Sequence, residues 1–394
     1  MTKTKFTNAE VFTGKADQFE RLDFGVDNST GRFFFDVNNH NFTEEKDLSG
    51  RFVIPGLINC HTHIILDPFF KISGLKAVSS GEADAVRATY VALCNLQKSL
   101  ENGVTYIRDC GSTFNIDLKL SALEKEGHLF APGIVGSGPA IAMTGGHGVE
   151  LGIEADGAEE TRKQARKNIK DGARNIKLMA TGGVSIDGEK PTDIQLTEEE
   201  LRAAVIEAHH KGYTACAHAQ GTEGIKNAIR AGVDSIEHGV YLDDEAIQML
   251  LDSGTFVVPT LIAPWAINDH ADVLPDFMVK KSIEIMDAHF ESIGKAARAG
   301  VKLALGTDSG TAYNNFENNA AFEMELMVKA GATPLQVLHA ASRNAAELLQ
   351  IDQETGTIEA DKLADFVILE ANPLEDIRAV QGAKTVYRKG RQVK

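Results

Sequence analysis

Six side chains with ligand or base chemistry each end or interrupt an apolar run. His61 and His63 close "VIPGLINCHTH" (53–63), Lys177 lies in "NIKLMA" (175–180), and His218 ends "YTACAHA" (213–219). His238 sits in "DSIEHG" (234–239) and Asp308 ends "VKLALGTD" (301–308). Residues i and i+2 of a strand face the same way, so His61 and His63 project into one space. Each residue alone reads as ordinary structure: a core or capping histidine, a turn aspartate, a snorkelling lysine. Together they form a ligand set, because imidazole and carboxylate suit Zn²⁺ and its neighbours. Two adjacent cations need an anionic bridge, and an ammonium would repel both. Lys177 must therefore lose its charge or be modified, and a carbamate formed with CO₂ is a carboxylate on a long arm.

Eight β-rich runs are expected to position these groups: 53–61, 104–110, 133–138, 175–180, 213–219, 234–239, 255–261 and 301–308. Between them lie amphipathic stretches with helix signals. Thr197 and Glu200 form a capping box that opens "EEELRAAVIEAHHKG", and Gly212 stops it. Strands joined by helical crossovers are parallel, and eight such units predict an α/β fold, a (β/α)₈ TIM-like barrel over 53–355. Residues 1–52 and 356–394 are β-prone and without helical period, and are expected to build one composite β-sandwich domain. Chemistry in such a barrel sits at the C-terminal strand ends. The second run ends in Arg108 and Asp109, and the third leads into "TGGHG" with His147.

The chain has 394 residues, 43% hydrophobic and 24% charged, with a formal charge of −16. That charge argues against nucleic acid or an anionic membrane as partner, leaving a small molecule. Cys60, Cys94, Cys110 and Cys216 lack CxxC spacing and read as buried free thiols. With no secretory h-region and no apolar run of about 20 residues, a cytoplasmic protein is expected.

The set "PGLINCHTH", "IKLMATGG", "CAHAQG", "SIEHG" and "GTDSG" resembles the amidohydrolase superfamily over nearly the whole chain. The nearest likeness is to binuclear prolidase-like dipeptidases and imidazolonepropionase-related enzymes. This resemblance implies that His61, His63 and Asp308 hold the more buried of two divalent metals, probed first as zinc. It implies that His218 and His238 hold the second, with carboxylated Lys177 between them. Asp308 then acts as general base and later acid, and His147 as oxyanion donor. Tyr241 is a further candidate for that task or for a substrate carboxylate, and Arg108 pairs with a carboxylate or is structural. Two positions depart from the pattern: Asn59 stands where an aspartate is common, and Gln220 where a tyrosine is.

The implied reaction is hydrolysis of a small amide, an Xaa-Pro dipeptide or N-acyl amino acid, by a homo-oligomeric enzyme. The alternative is a cyclic-amide hydrolase of the imidazolonepropionase type. Lys177 weighs against a mononuclear deaminase, and six competent ligands weigh against a non-catalytic scaffold. Specificity is assigned to the loops 65–85, 181–195 and 262–277, the last carrying Trp265.

Overall fold

Alternating burial along the first strand, β1 (Lys3–Val11), marks a sheet packed on one face. The computed structural model describes residues 3–70 and 84–393. The N-terminal segment continues with β2 (Glu20–Asp27), β3 (Arg32–Phe34), β4 (Glu44–Asp47) and β5 (Phe52–Pro55). Parallel strands follow: β6 (Leu57–Thr62), β7 (Val104–Asp109), β8 (Gly133–Val135), β9 (Ala140–Ala142) and β10 (Gly152–Glu154). Next come β11 (Asn175–Met179), β12 (Thr214–Ala219), β13 (Ser235–His238) and β14 (Phe256–Val258). The chain closes with β15 (Phe366–Leu369), β16 (Lys384–Arg388) and β17 (Arg391–Gln392).

Both ends of the chain share one mixed sheet, ordered β17-β16-β15-β5-β1-β2-β3, with β4 paired to β1. Its core is aromatic. Phe6 stacks on Phe24 at 4.9 Å, Phe366 on Tyr387 at 4.4 Å, and Phe6 meets Phe366 edge-on at 5.3 Å. Each such pair adds about 0.5–1.5 kcal/mol beyond area burial, so the ring cluster staples the two termini together.

The expected strand 53–61 is divided. β5 pairs with β1 and β15 in the terminal sheet, whereas β6 pairs with β7. Gly56 lies between them, and a Cβ there would run into the Thr105 side chain. Only glycine lets the chain pass from one sheet to the other at this point.

The parallel strands form a β6-β7-β8 sheet and a β10-β9-β11-β12-β13-β14 sheet. Helices cross between successive strands, among them α1 (Ala85–Glu101), α2 (Ile116–Lys125), α3 (Gly157–Asp171) and α4 (Glu198–His209). Thr197 and Glu200 make both bonds of the capping box at the start of α4. The third expected run, 133–138, is strand only over Gly133–Val135, and β9 takes up the pairing with β11. The eighth, 301–308, gives only isolated bridges. Leu303 bridges Val257, the Cys60 N–H donates to the Leu305 carbonyl (2.7 Å), and Ser309 bridges Thr62. Its backbone is thus divided between β14 and β6, which leaves it no continuous ladder. Among the described residues no helix is long and apolar enough to cross a membrane.

Arg388, at the end of β16, is fully buried where the terminal sheet meets α2. It donates to Asp365 and to Glu124 (3.0 Å), with the Tyr106 ring 5.0 Å from its guanidinium. Removing one partner of a buried pair costs about 3–5 kcal/mol, because the remaining charges stay buried and unpaired. Arg388→Met is expected to lower unfolding stability by that amount, read as a shifted denaturant midpoint; an unchanged midpoint would refute it.

Candidate active site

His61 lies one residue before the end of β6, His63 follows that strand, Lys177 lies in β11, His218 in β12 and His238 ends β13. All five are buried. The His61 ring lies 5.4 Å from that of His63 and 5.1 Å from that of His238, and His238 lies 4.5 Å from His218. Asp308 Oδ1 is 3.0 Å from His63 Nε2 and 3.3 Å from His61 Nε2. The donor atoms of His61, His63 and Asp308 all lie within 4.8 Å of one another. His238 and Asp308 both adopt left-handed backbone, with φ of 73° and 60°. Such residues cost of order 1–3 kcal/mol and persist where packing over-determines them, often at functional sites.

Hydrogen bonds decide which nitrogen each ring presents. His61 Nδ1 meets Glu237 Oε2 at 2.6 Å, so it carries the hydrogen and Nε2 faces Asp308. The Thr260 hydroxyl donates to the Pro259 carbonyl (2.7 Å) and can only accept from His238 Nδ1 (2.6 Å). His218 Nε2 donates to the Gly182 carbonyl at 3.1 Å, leaving Nδ1 with its lone pair. Burial, and then the Lys177 charge, hold His61 well below the usual imidazole range. Burial followed by neighbouring imidazoles does the same for His218 and His238. Neutral imidazole is the ligand form. For Asp308 burial pushes upward, but His61 and His63 outweigh it and hold the carboxyl below its ordinary value.

Two carboxylates at the site were not anticipated from the sequence. Glu237, fully buried, accepts from Arg108 Nη2 at 2.6 Å and from Ser235 Oγ at 2.5 Å while holding His61. Strict strand alternation sends Glu237 and His238 to opposite faces; the left-handed φ of His238 breaks that alternation, so both reach His61. Arg108 also donates through Nε to the Cys60 carbonyl (2.6 Å), so its place is inside the sheets. Glu189, in the loop after β11, takes His147 Nδ1 at 2.5 Å and the Gly183 N–H at 2.9 Å. Gln195 completes this frame, donating to Glu189 (3.0 Å) and accepting the His147 N–H (2.8 Å). The His147 ring lies 4.2 Å from that of His218. No periodicity marks Glu189, whose only signal is an acid within a glycine-rich loop.

The two departures acquire separate meanings. Asn59 donates to Thr307 Oγ1 (2.7 Å) and accepts the N–H groups of His61 and Thr307, both at 3.2 Å. It ties β6 to the segment carrying Asp308, a task that uses both ends of an amide. Gln220 forms part of the wall above the histidines. The glycine at 310, with φ 110°, is required, since a Cβ would strike the His63 carbonyl.

The histidines, Lys177 and Asp308 open into a cavity of about 1170 Å³, walled by Ile65, Val184, Ile186, Pro264, Ile267 and Met278. Parts of the loops 181–195 and 262–277 therefore line it. Residues 71–83 of the loop 65–85 lie outside the described residues. Trp265 turns away to meet Phe322 edge-on at 4.7 Å. Tyr241 is half-buried outside the cavity wall, its N–H on the Gln220 carbonyl (3.0 Å). All four cysteines are free, with Cys94 only half-buried.

Residues 52–393 match the amidohydrolase family. The chain belongs to it. Ochratoxinase of Aspergillus niger is 31% identical over 370 residues, covering 85% of this chain and 73% of that protein. A Xaa-Pro dipeptidase solved with bound methionine superposes at a TM-score of 0.88, with 29% identity and 99% of both chains covered. A prolidase complexed with N-methylphosphonate-L-proline gives 0.88 and 29%, over 100% of both chains. Amidohydrolases are generally metal-dependent, and the residues present fit that requirement. His63 Nδ1 is buried without a partner, and Lys177, 1% exposed, makes no ion pair or hydrogen bond among the described residues. A lysine amine this deep in the protein with no hydrogen-bond partner of its own leaves donor capacity for a bound group. The donor set is the nitrogen-and-oxygen kind that zinc takes.

Residues that orient ligating histidines through their other nitrogen typically matter 10–100-fold to metal affinity. Glu237→Gln is therefore expected to weaken zinc binding by about that factor, measured by competition with a chromophoric chelator. Wild-type affinity in the variant would remove Glu237 from this role.

Proposed function

We propose that this amidohydrolase cleaves the amide bond of a small N-acyl amino acid or dipeptide, Xaa-Pro dipeptides included. One observation carries the reading: a single carboxylate, Asp308, is shared by His61 and His63 at the floor of a large apolar cavity. The likeness to ochratoxinase and to a Xaa-Pro dipeptidase supports an amide as substrate. We also read the two parallel sheets as arcs of one (β/α)₈ barrel over 53–355, with 1–52 and 356–394 as its companion domain. The hydrogen bonds of 301–309 to both β14 and β6 favour that closure.

His61, His63 and Asp308 would hold one divalent cation, His218 and His238 a second, with Lys177 as a carbamate between them. Such cations supply a water that ionises near neutral pH and polarise the amide carbonyl. Asp308 takes a proton at its carboxylate and returns it to the departing amine nitrogen. His147, whose ring Glu189 fixes at Nδ1, would turn its Nε2 edge to the carbonyl oxygen where negative charge develops. The aliphatic wall excludes water and seats the acyl group.

A hydrolysis screen of dipeptides and N-acyl amino acids on zinc-loaded protein tests the reading. Cleavage is expected, with kcat falling about 10²–10⁴-fold in Asp308→Asn. Undiminished turnover in that variant would exclude Asp308 as the proton carrier. Wild-type protein is expected to bind about two divalent ions per chain. Lys177→Ala should lose metal and activity and regain part of both with acetate or propionate; normal metal content in the variant would exclude Lys177 as the bridge.

A further inference from the structure

Glu323 lies in the helix Asn319–Ala330 and is fully buried. Its two carboxyl oxygens accept the N–H groups of Leu261 (2.9 Å) and Ile262 (2.7 Å), where the helix Ile262–Asp269 begins. Among the described residues no cation pairs with it. Burying a carboxyl group without a counter-charge is unfavourable, so the two N–H bonds it makes must hold something that matters.

The residue just before Leu261 is Thr260, whose φ of 55° is a rare conformation for a β-branched side chain. In this conformation its hydroxyl donates to the Pro259 carbonyl (2.7 Å) and accepts from His238 Nδ1 (2.6 Å). That contact puts the His238 hydrogen on Nδ1 and leaves the lone pair on Nε2. Strained backbone persists only where its surroundings over-determine it. The Ala263 N–H closes on the Thr260 carbonyl at 3.0 Å, and Glu323 pins the two N–H groups between them. The helix itself has other anchors. Ser282 Oγ donates to the Pro264 carbonyl (2.9 Å), and Trp265 meets Phe322 edge-on. A buried carboxyl is therefore not needed merely to dock the helix; its bonds fall on the segment that turns Thr260 toward His238.

We propose that Glu323 is a positioning residue for the second metal: by holding residues 260–262 it keeps the Thr260 hydroxyl on His238 Nδ1 and so keeps Nε2 the ligating nitrogen. The inference rests on the two-cation reading above, in which His238 is a ligand. Glu237 fixes the His61 ring directly, whereas Glu323 fixes the His238 ring through one intervening threonine. Partners of this kind typically matter 10–100-fold to metal affinity.

The test compares wild type, Glu323→Gln and Glu323→Ala. The histidine rings of the metal-free proteins are isotopically labelled and followed by NMR, the His238 signals being those lost in His238→Gln. Wild type is expected to carry the His238 hydrogen on Nδ1 alone. Glu323→Ala is expected to give a mixture of tautomers, and Glu323→Gln, which keeps one acceptor oxygen, a smaller shift. Zinc is then titrated against a chromophoric chelator. One of the two zinc affinities is expected to fall at least about tenfold in Glu323→Ala and less in Glu323→Gln, the other staying within about threefold of wild type. Unaltered His238 signals, two unchanged affinities, or an equal loss of both overturns the proposal. If Glu323→Ala does not fold, Glu323→Gln carries both readouts. A tautomer shift in a protein whose wild type binds fewer than two zinc ions would refute the two-metal reading while upholding Glu323 as the group that fixes His238.

Discussion

A guanidinium sealed inside the parallel sheets governs the site. Arg108 keeps its charge at any accessible pH and is fully buried, so it must be met by a carboxylate. Glu237 answers it with one oxygen and turns the other to His61 Nδ1. That contact sets the His61 tautomer and aims Nε2 at Asp308. One buried charge pair thus aligns β6, β7 and β13 and orients the first histidine of the site. Such pairs add little net stability, since desolvation offsets attraction; their value here is geometric.

A second constraint lies in the backbone. His238, Thr260 and Asp308 all have positive φ, which β-strand geometry would not allow. The twist at His238 lets consecutive residues serve one centre, Glu237 from below and His238 from above. Asp308 is held in its turn by an N–H bond to the His61 carbonyl (2.8 Å) and by Gly310, which leaves room for the His63 carbonyl. The local cost is met by dense packing from both sheets. Asn59 belongs to this frame, bonding β6 to Thr307 beside Asp308.

The terminal sheet acts on the same strand from the other end. β5 is fixed between β1 and β15, and the chain passes directly through Gly56 into β6. His61 therefore sits on a strand anchored below by the aromatic cluster of the two termini and above by the Asn59 amide. Rigidity of this kind suits a site whose groups must hold their positions while charge develops on a substrate.

The alternation of parallel strands with crossover helices, and the gathering of His61, His63, Lys177, His218, His238 and Asp308 at one cavity, were legible because each depends on short-range pattern. His, Lys or Asp interrupts or ends each apolar run, and capping residues and glycines punctuate the helices. Glu237 and Glu189 were not legible. The first reaches His61 through a backbone twist absent from the hydrophobic pattern, and the second contacts His147 from a loop 42 residues away. Tyr241 shows the converse: one residue type beside a ligand suggested chemistry, yet Tyr241 is not among the residues that line the cavity. The sequence by itself determined which side chains arrive at the strand ends, since local periodicity sets facing. Only the tertiary structure decided which nitrogen each imidazole presents and what Asn59 bonds. Those outcomes depend on partners far away in the chain, and hydrogen bonding over such separations is settled by packing.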